Sequence, residues 1–433
     1  MGQTVNLLCG SCCEDQDSAG ERRFVAPDCR RPLVVYVLTR LAGGGPREHV
    51  LGLLAGMKRR GYATALIVGR CDPRHDVDLP PDLTSGESIY TIPEMSRSVN
   101  LWGDGVSLWR TYQLLMRLKP QIVHTHTAKA GLIGRLTARA AGVPCVVHSY
   151  HGNVLRGYFS RPISAVVRWC ERRLAALTDR VCVLSGEQLD EIAGTYGVAR
   201  AEKVRVTPLG VDLHRFEGVS QPPERPFTVG WLGRLVPIKN IPLLVAAAEE
   251  TLRRGAKVRF LIAGDGPERG LVTEAVSRLG RKSFEWLGWQ QDVRSMLARC
   301  HMLIQTSLNE GTPISLIQGG AAGRPFVSTP VGGVVDMVCG SMLRADRGAK
   351  WYANGVLVEP DAAAIASVLC AIADQPDEVA RMGRQAADFV RSHFDIEMHM
   401  ATIDSLYREL LRDKRPLSEF AVRHNAHVES CIP

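Results

Sequence analysis

The chain has 433 residues, 45% hydrophobic and 23% charged, which is the balance of a globular protein and long enough for two cores of ordinary size rather than one. No apolar run approaches the roughly 18 residues of a membrane span, and an aromatic content of 6% without aromatic-basic interleaving argues against nucleic acid as a partner. The net charge of +8 is uneven: residues 31–215 carry 25 Lys and Arg against 15 Asp and Glu, and residues 110–173 carry 11 basic residues against Glu171 alone. That pattern suits either an anionic partner, such as a membrane surface or a phosphorylated acceptor, or a solvated basic face.

Residues 1–28 lack the basic start and apolar core of a secretory leader. They read, to residue 30, as a disordered tail, because Cys9, Cys12 and Cys13 have only Cys29 as a near further ligand for a metal. The other eight cysteines are scattered, several in apolar strands, as reduced thiols of a cytosolic protein would be. The apolar run Leu33 to Leu38 predicts a buried parallel strand, followed by the Gly43-Gly44-Gly45-Pro46 loop and a helix carrying Val50, Leu51, Leu53, Leu54 and Met57. This is the opening unit of a doubly wound sheet. Further strands are predicted at 63–68, 121–125, 145–149 and 181–184. Between them lie a helix near 130–141, with Leu132, Ile133, Leu136 and Ala140 on one face, and another near 162–178, with Ile163, Val166, Val167, Cys170, Leu174 and Leu177 on one stripe.

Gly218, Pro222, Pro223 and Pro226 mark residues 217–226 as a linker, which bounds a first domain at 31–216. A second α/β series follows, with strands at 227–232, 258–263, 283–287, 301–305 and 325–328 and helices at 240–253, 268–279, 291–299 and 313–322. The second domain is expected to span 227–395. A last helix, 396–414, has Asp395 as N-cap and Ile403, Leu406, Tyr407, Leu410 and Leu411 as its apolar face, and 415–433 reads as a tail. The fold expected is α/β, two Rossmann-like domains facing a cleft.

The segment Asn309-Glu310-Gly311-Thr312-Pro313 places a carboxylate at a loop end before a helix that continues through Gln318 and Gly319-Gly320 to Gly323-Arg324-Pro325. Thr312 is expected to cap that helix and Pro313 to occupy its first turn. Free amides and the dipole at such an N-terminus attract phosphate. Gly233-Arg234, followed by Lys239, supplies two cations at a strand's C-terminal end, where a departing diphosphate needs its charge neutralised. Gly264-Asp265-Gly266-Pro267 opens a helix, and its glycines allow close approach of backbone to a ring or phosphate. His124 and His126 end one strand and His148 and His151 end another, but no Asp, Glu or Cys with ligand spacing accompanies them, so no metal site is expected. His151-Gly152 is better placed to touch a ligand in the cleft.

Together, Gly44-Gly45, His124-Thr125-His126-Thr127, His151-Gly152, Gly233-Arg234 with Lys239, Gly264 to Pro267 and Asn309 to Pro313 resemble the family-4 retaining glycosyltransferases of GT-B fold over about residues 32–412. The resemblance implies a nucleoside diphosphate sugar held mainly by the C-terminal domain, an acceptor on the N-terminal domain, and neither cofactor nor metal. It implies that Arg234 and Lys239 hold the diphosphate, that Glu310 meets the sugar hydroxyls, and that Gly264, Asp265 and Gly266 lie beside the nucleotide. His151 would lie by the sugar and acceptor, Gly44 and Gly45 against the donor, and the last helix would cross back to the N-terminal domain. The catalytic set so implied is Glu310, His151, Arg234 and Lys239, with Gly233, Gly311, Thr312, Pro313 and Gln318 completing the donor site. One departure stands out: where the family has a second glutamate for the ribose hydroxyls, this chain has Gln318. An amide offers one acceptor and one donor group in place of two acceptors, which weakens donor binding by about 1–3 kcal/mol. The function so implied is transfer to a lipid-linked or polysaccharide acceptor in cell-surface glycan synthesis such as lipopolysaccharide. The expected location is cytoplasmic, peripheral on the inner face of the membrane through segment 110–173. A sugar-nucleotide epimerase and a catalytically impaired sugar-nucleotide-binding relic remain as other readings.

Overall fold

The computed structural model describes residues 31–41, 45–69, 88–96, 98–152 and 161–414. The readings for residues 1–30 and 415–433, Gly43, Gly44, and the part of segment 110–173 at 153–160 lie outside them. The N-terminal sheet has the order β3-β2-β1-β4-β5-β6-β7 and is parallel throughout. Its strands are β1 (Leu33–Leu38), β2 (Ala63–Gly69), β3 (Ser88–Ile92), β4 (Ile122–His126), β5 (Cys145–Ser149), β6 (Arg180–Val183) and β7 (Val204–Val206). Such strands are covered on both faces, and β1, β4 and β5 are buried along their whole length. Alternation decides which helix each side chain meets. Val34, Tyr36 and Leu38 share a core with α1 (Gly45–Arg59), while Val35 and Val37 pack with residues of α2 (Leu101–Leu118) and α3 (Ala128–Ala140).

Helix α4 (Arg161–Ala176) departs from its predicted orientation. Ile163 and Val166 are 51% and 61% exposed, and the buried positions are Ser164, Glu171, Leu174 and Ala175. The reason is an ion pair: Arg135 Nη2 on α3 donates to Glu171 Oε2 at 2.8 Å and Tyr150 Oη donates to the same oxygen at 2.6 Å, which turns the Glu171 side of α4 inward. On α3, likewise, Ile133 is buried while Leu132 and Leu136 are exposed.

The second sheet has the order β10-β9-β8-β11-β12-β15-β14-β13. Here β8 is Phe227–Leu232, β9 Val258–Ala263, β10 Phe284–Gly288, β11 Met302–Gln305, β12 Phe326–Ser328, β13 Arg344–Asp346, β14 Ala349–Trp351 and β15 Gly355–Val358. The first five and β15 are parallel, and β13 and β14 form an antiparallel edge. Its helices of two turns or more are α5 (Ile241–Arg253), α6 (Arg269–Leu279), α7 (Ile314–Ala321), α8 (Ala362–Ala373) and α9 (Pro376–His393). The helix expected at 291–299 is shortened to Arg294–Leu297, because Asp292 Oδ1 accepts from both Arg294 N and Nε and so forms a local turn. Buried Arg324 fastens the linker to this domain by donating to Leu297 O, Gln221 Oε1 and Ser220 O at 3.0, 2.9 and 2.6 Å.

The last helix, α10 (Ile396–Asp413), packs on the N-terminal domain. Met400, Ile403, Leu406, Tyr407 and Leu410 share the core of β1 and α1, and Tyr62 Oη donates to Asp404 Oδ1 at 2.8 Å. A Cβ on Gly56 of α1 would lie 2.3 Å from Met400 Sδ, so this helix pair depends on that glycine for its close approach. Among the described residues no helix is long and apolar enough to cross a membrane.

Candidate functional site

The site is assembled from loops that leave the C-terminal ends of parallel strands, where ligands bind in open α/β sheets. In the C-terminal domain, β8 leads through Gly233 and exposed Arg234 into a 3-10 turn, Pro237–Lys239, and β11 leads through Thr306 and Ser307 to Glu310. These two loops are stitched together: Leu308 N donates to Ile238 O at 2.9 Å and Thr306 Oγ1 to Lys239 O at 3.1 Å. The stitching brings Lys239 Nζ onto Glu310 Oε1. Gln305 Nε2 also donates to that oxygen, and Ser307 Oγ does so at 2.5 Å. All the described contacts of the carboxylate fall on Oε1. Gln305 and Ser307 were not singled out from the sequence, although a glutamine ending the apolar run Met302-Leu303-Ile304 is a legible signal.

Glycine controls the close approaches here. A Cβ on Gly332 (φ 52°) would lie 1.8 Å from Glu310 O, and one on Gly333 2.2 Å from Gly311 O. The glycines of Gly264-Asp265-Gly266 serve the neighbouring loop: a Cβ on Gly264 (φ 141°) would lie 1.7 Å from Gly233 O, and Leu235 N donates to Asp265 O at 2.9 Å. Asp265 Oδ1 accepts from Gly266 N at 2.7 Å, so this carboxylate shapes its own turn.

Thr312 does not cap α7. Pro313 takes the N-cap position with extended backbone (φ −75°, ψ 109°), the helix begins at Ile314, and no side chain caps it. Thr312 is buried, with its Oγ1 3.2 Å from where a Gly333 Cβ would stand. Gln318 lies half-buried one turn into α7.

The N-terminal domain meets these loops directly. A Cβ on Gly311 would fall 2.7 Å from His151 O and 3.2 Å from Gly152 Cα, and one on Gly45, which begins α1, 3.4 Å from Ile314 Cδ1. Behind His151 lies a group of histidines from four elements. His126 Nδ1 is 2.9 Å from His151 Nε2, and His49 Nε2 on α1 is 2.7 Å from His399 Nε2 on α10. His124 bridges Tyr407 Oη at 2.6 Å and Ser149 Oγ at 2.8 Å. Burial, then the charge of neighbouring His399, pushes the His151 pKa down to about 3. Burial, then His151 and His399, does the same for His124. His49 and His399 were missed in the sequence because they lie 350 residues apart on separate helices.

Chemically, this arrangement can take an anion beside the Lys239–Glu310 pair, with the neutral His151 imidazole on the facing domain. The chain matches the model for Glycosyltransferase Family 4 over residues 43–215 and the model for Glycosyl transferases group 1 over residues 226–375. It is 31% identical over 259 residues to the UDP-Gal:alpha-D-GlcNAc-diphosphoundecaprenol alpha-1,3-galactosyltransferase of Escherichia coli, an alignment that spans 56% of this chain and 66% of the relative. It is 23% identical over 400 residues to the glycogen synthase of Mycobacterium tuberculosis, spanning 86% of this chain and 92% of that one. Among solved structures, sucrose-phosphate synthase from Thermosynechococcus elongatus superposes with a TM-score of 0.72 at 19% identity, over 88% of this chain and 100% of that chain. Anabaena HepE in complex with UDP and glucose does so with a TM-score of 0.67 at 18% identity, over the same shares. With its two halves matched in order and this fold shared, the chain belongs to the family-4, group 1 glycosyltransferases of GT-B fold.

Proposed function

We propose that this protein transfers a hexose from a nucleoside diphosphate sugar to a lipid-linked or polysaccharide acceptor with retention of anomeric configuration. The observation that carries the proposal is the Lys239–Glu310 pair set against His151-Gly152 across the cleft. Arg234 and Lys239 neutralise the diphosphate as the glycosidic bond breaks, and the N-terminus of α7, uncapped by any side chain, adds its amides and dipole. Glu310 orients the sugar through its hydroxyls, and His151 and Gly152 border the transferred sugar and the acceptor. Gln318 contacts the ribose with one acceptor fewer than a carboxylate has. This electrostatic scheme is served by the side chains described, so the reaction itself is expected to run without a metal or cofactor.

The E. coli relative's name carries UDP-galactose and a diphosphoundecaprenol acceptor, and UDP-hexoses are therefore the first donors to test. A lipid-linked acceptor fits the outer face of the N-terminal domain. Trp102 (82% exposed), Trp109 (60%) and Met116 recur every seven residues along α2, and Ile163, Val166 and Trp169 (57%) lie on α4. Arg117, Lys119, Arg172 and Arg173 are exposed on the same two helices or at their ends, and the single acid of residues 110–173, Glu171, is buried against Arg135. An apolar, basic face whose acids Asp104 and Glu171 are paired with Lys129 and Arg135 suits an anionic lipid surface. On this reading the protein works at the cytoplasmic face of a membrane, in glycan assembly.

A thermal-shift screen of UDP-, GDP- and ADP-sugars tests the donor half. One nucleotide sugar at 100 times its Kd should stabilise the protein by about 2.7 kcal/mol. Equal, negligible shifts with all of them would count against a donor site.

A further inference from the structure

Six histidines from α1, β4, β5, the loop after β5 and α10 converge behind the cleft, and their nitrogens are not equally engaged. His124 spends both nitrogens on Tyr407 and Ser149, and His148 Nδ1 lies 2.8 Å from Thr125 Oγ1. His49, His126 and His151 remain, each with a ring nitrogen that lies within 4.8 Å of one on both others. Within this trio two nitrogens, His49 Nδ1 and His126 Nε2, are buried with no hydrogen-bond partner. Buried polar atoms are rarely left so, and two in one cluster point to a missing ligand.

The tautomer of His49 follows from its neighbours. His399 Nδ1 faces Pro208 O at 2.6 Å, and a carbonyl only accepts, so Nδ1 carries the proton and His399 Nε2 presents a lone pair. His49 Nε2–H donates to it at 2.7 Å, which leaves the His49 lone pair on the unpartnered Nδ1. A ligating histidine whose other N–H is held by a second group is the usual arrangement around protein-bound zinc. Burial first, and the neighbouring histidines after it, push the pKa of His49 and His126 well below the ordinary value, and His151 is also neutral. In the tautomer that leaves the His126 lone pair on unpartnered Nε2, His126 Nδ1 donates to His151 Nε2 at 2.9 Å, so an ion would take the His151 lone pair by replacing that hydrogen bond. Three imidazoles without a carboxylate favour zinc and its neighbours over magnesium or calcium, and a fourth position facing the cleft would hold water.

We propose that His49, His126 and His151 bind one zinc-class divalent ion, and that this ion inhibits the enzyme by occupying His151. The spacing of His124, His126, His148 and His151 in the sequence does not display this trio, because one of its members is brought from another helix. His49 comes from α1 and is oriented by α10. The site shares His151 with the proposed transfer site, and the inhibitory consequence rests on that reading while the uptake of zinc does not.

The test uses untagged full-length protein stripped with chelator and desalted, titrated with zinc against a chromophoric chelator and, in parallel, with cobalt(II) while its ligand-field bands are recorded. We expect one zinc per chain, four-coordinate cobalt spectra, no competition from magnesium, and affinity reduced at least about tenfold in His49→Gln and His126→Gln. The half-buried His151→Gln gives the same readout if the two buried variants fail to fold. Binding in His151→Gln equal to wild type, or no stoichiometric zinc uptake by the wild type, overturns the site. Because uptake is read without sugar nucleotide, these results stand whatever the donor proves to be. Saturating zinc should lower acceptor-dependent nucleotide release at least about tenfold, and unchanged release with zinc bound would overturn the inhibition.

Discussion

Lys239 and Glu310, 71 residues apart, form an ion pair through Nζ and Oε1 at the mouth of the cleft, with Gln305 and Ser307 donating to the same oxygen. A carboxylate with a lysine and two further donors on one oxygen is held in a fixed orientation, and the lysine is held within reach of a diphosphate. Glu310→Gln keeps the shape and removes the charge. Turnover should fall at least about a hundredfold, as for loss of one preorganised polar contact to a reacting group, with the melting temperature within a few degrees of wild type. Steady-state kinetics beside a thermal melt checks this; near-normal turnover would remove Glu310 from its assigned role.

Gln318→Glu should restore a second acceptor oxygen for the ribose. Donor Kd, measured by calorimetry, should stay equal or tighten by up to about tenfold, equivalent to about 1.4 kcal/mol. A weaker donor Kd would mean that Gln318 faces something other than a diol.

Gly311→Ala puts a methyl group where His151 O lies 2.7 Å away and Gly152 Cα 3.2 Å away. Two backbones on opposite sides of the cleft must then part, and misplacement of about 1 Å at a reacting centre costs on the order of a hundredfold. We expect kcat/KM to fall about that far. Gly105→Ala on α2, where a Cβ meets nothing within 4 Å, is the control; it should leave kcat/KM unchanged and stabilise the fold by up to about 1 kcal/mol.

Asp179 supplies a pH-dependent contribution to stability. Burial opposes its ionisation, but the Val146 N–H at 2.8 Å and Arg139 Nη2 at 2.6 Å, both on Oδ2, with Lys414 on Oδ1, outweigh it and lower its pKa. A carboxylate whose pKa is lower folded than unfolded stabilises the fold above the unfolded value of about 3.9, and that contribution is lost as pH falls through the folded value. Asp179→Asn should therefore destabilise the fold at pH 7 in denaturant unfolding, with the difference from wild type shrinking as pH falls below about 4. A pH-independent difference would assign the effect to packing alone.

The apolar face of α2 and α4 predicts binding to lipid. Vesicles containing phosphatidylglycerol should sediment the protein and neutral phosphatidylcholine vesicles should not. The double variant Trp109→Ser, Trp169→Ser should bind at least about tenfold more weakly. Equal binding to both vesicle types would exclude the electrostatic part of the account.

Much of this architecture was legible because buried parallel strands are written as continuous apolar runs. The strands at 145–149, 227–232 and 258–263 were bounded to the residue. Helix α2 escaped because Trp102, Trp109 and Met116 are apolar on its solvent side, which blurs the amphipathic period. The same exposure misdirected the reading of α4, whose inward face is set by the Arg135–Glu171 pair, a contact 36 residues long in sequence. The motif at 309–313 revealed its carboxylate, but the start of α7 at Ile314 depends on the packing of Thr312 beside Gly333. The histidine cluster was visible only in part, since β4 and the end of β5 announce His126 and His151 while α1 and α10 bring His49 and His399 from opposite ends of the chain.

The central claim is sugar transfer from a nucleotide donor to a separate acceptor, and the most direct measurement is release of nucleoside diphosphate from a panel of UDP-sugars with and without a lipid-diphosphate saccharide, with the product's anomeric configuration read by NMR. The account predicts release with one donor, only when acceptor is present, and a product that keeps the donor's anomeric configuration. Epimerised nucleotide sugar without acceptor, or donor binding with no turnover across the panel, would contradict it.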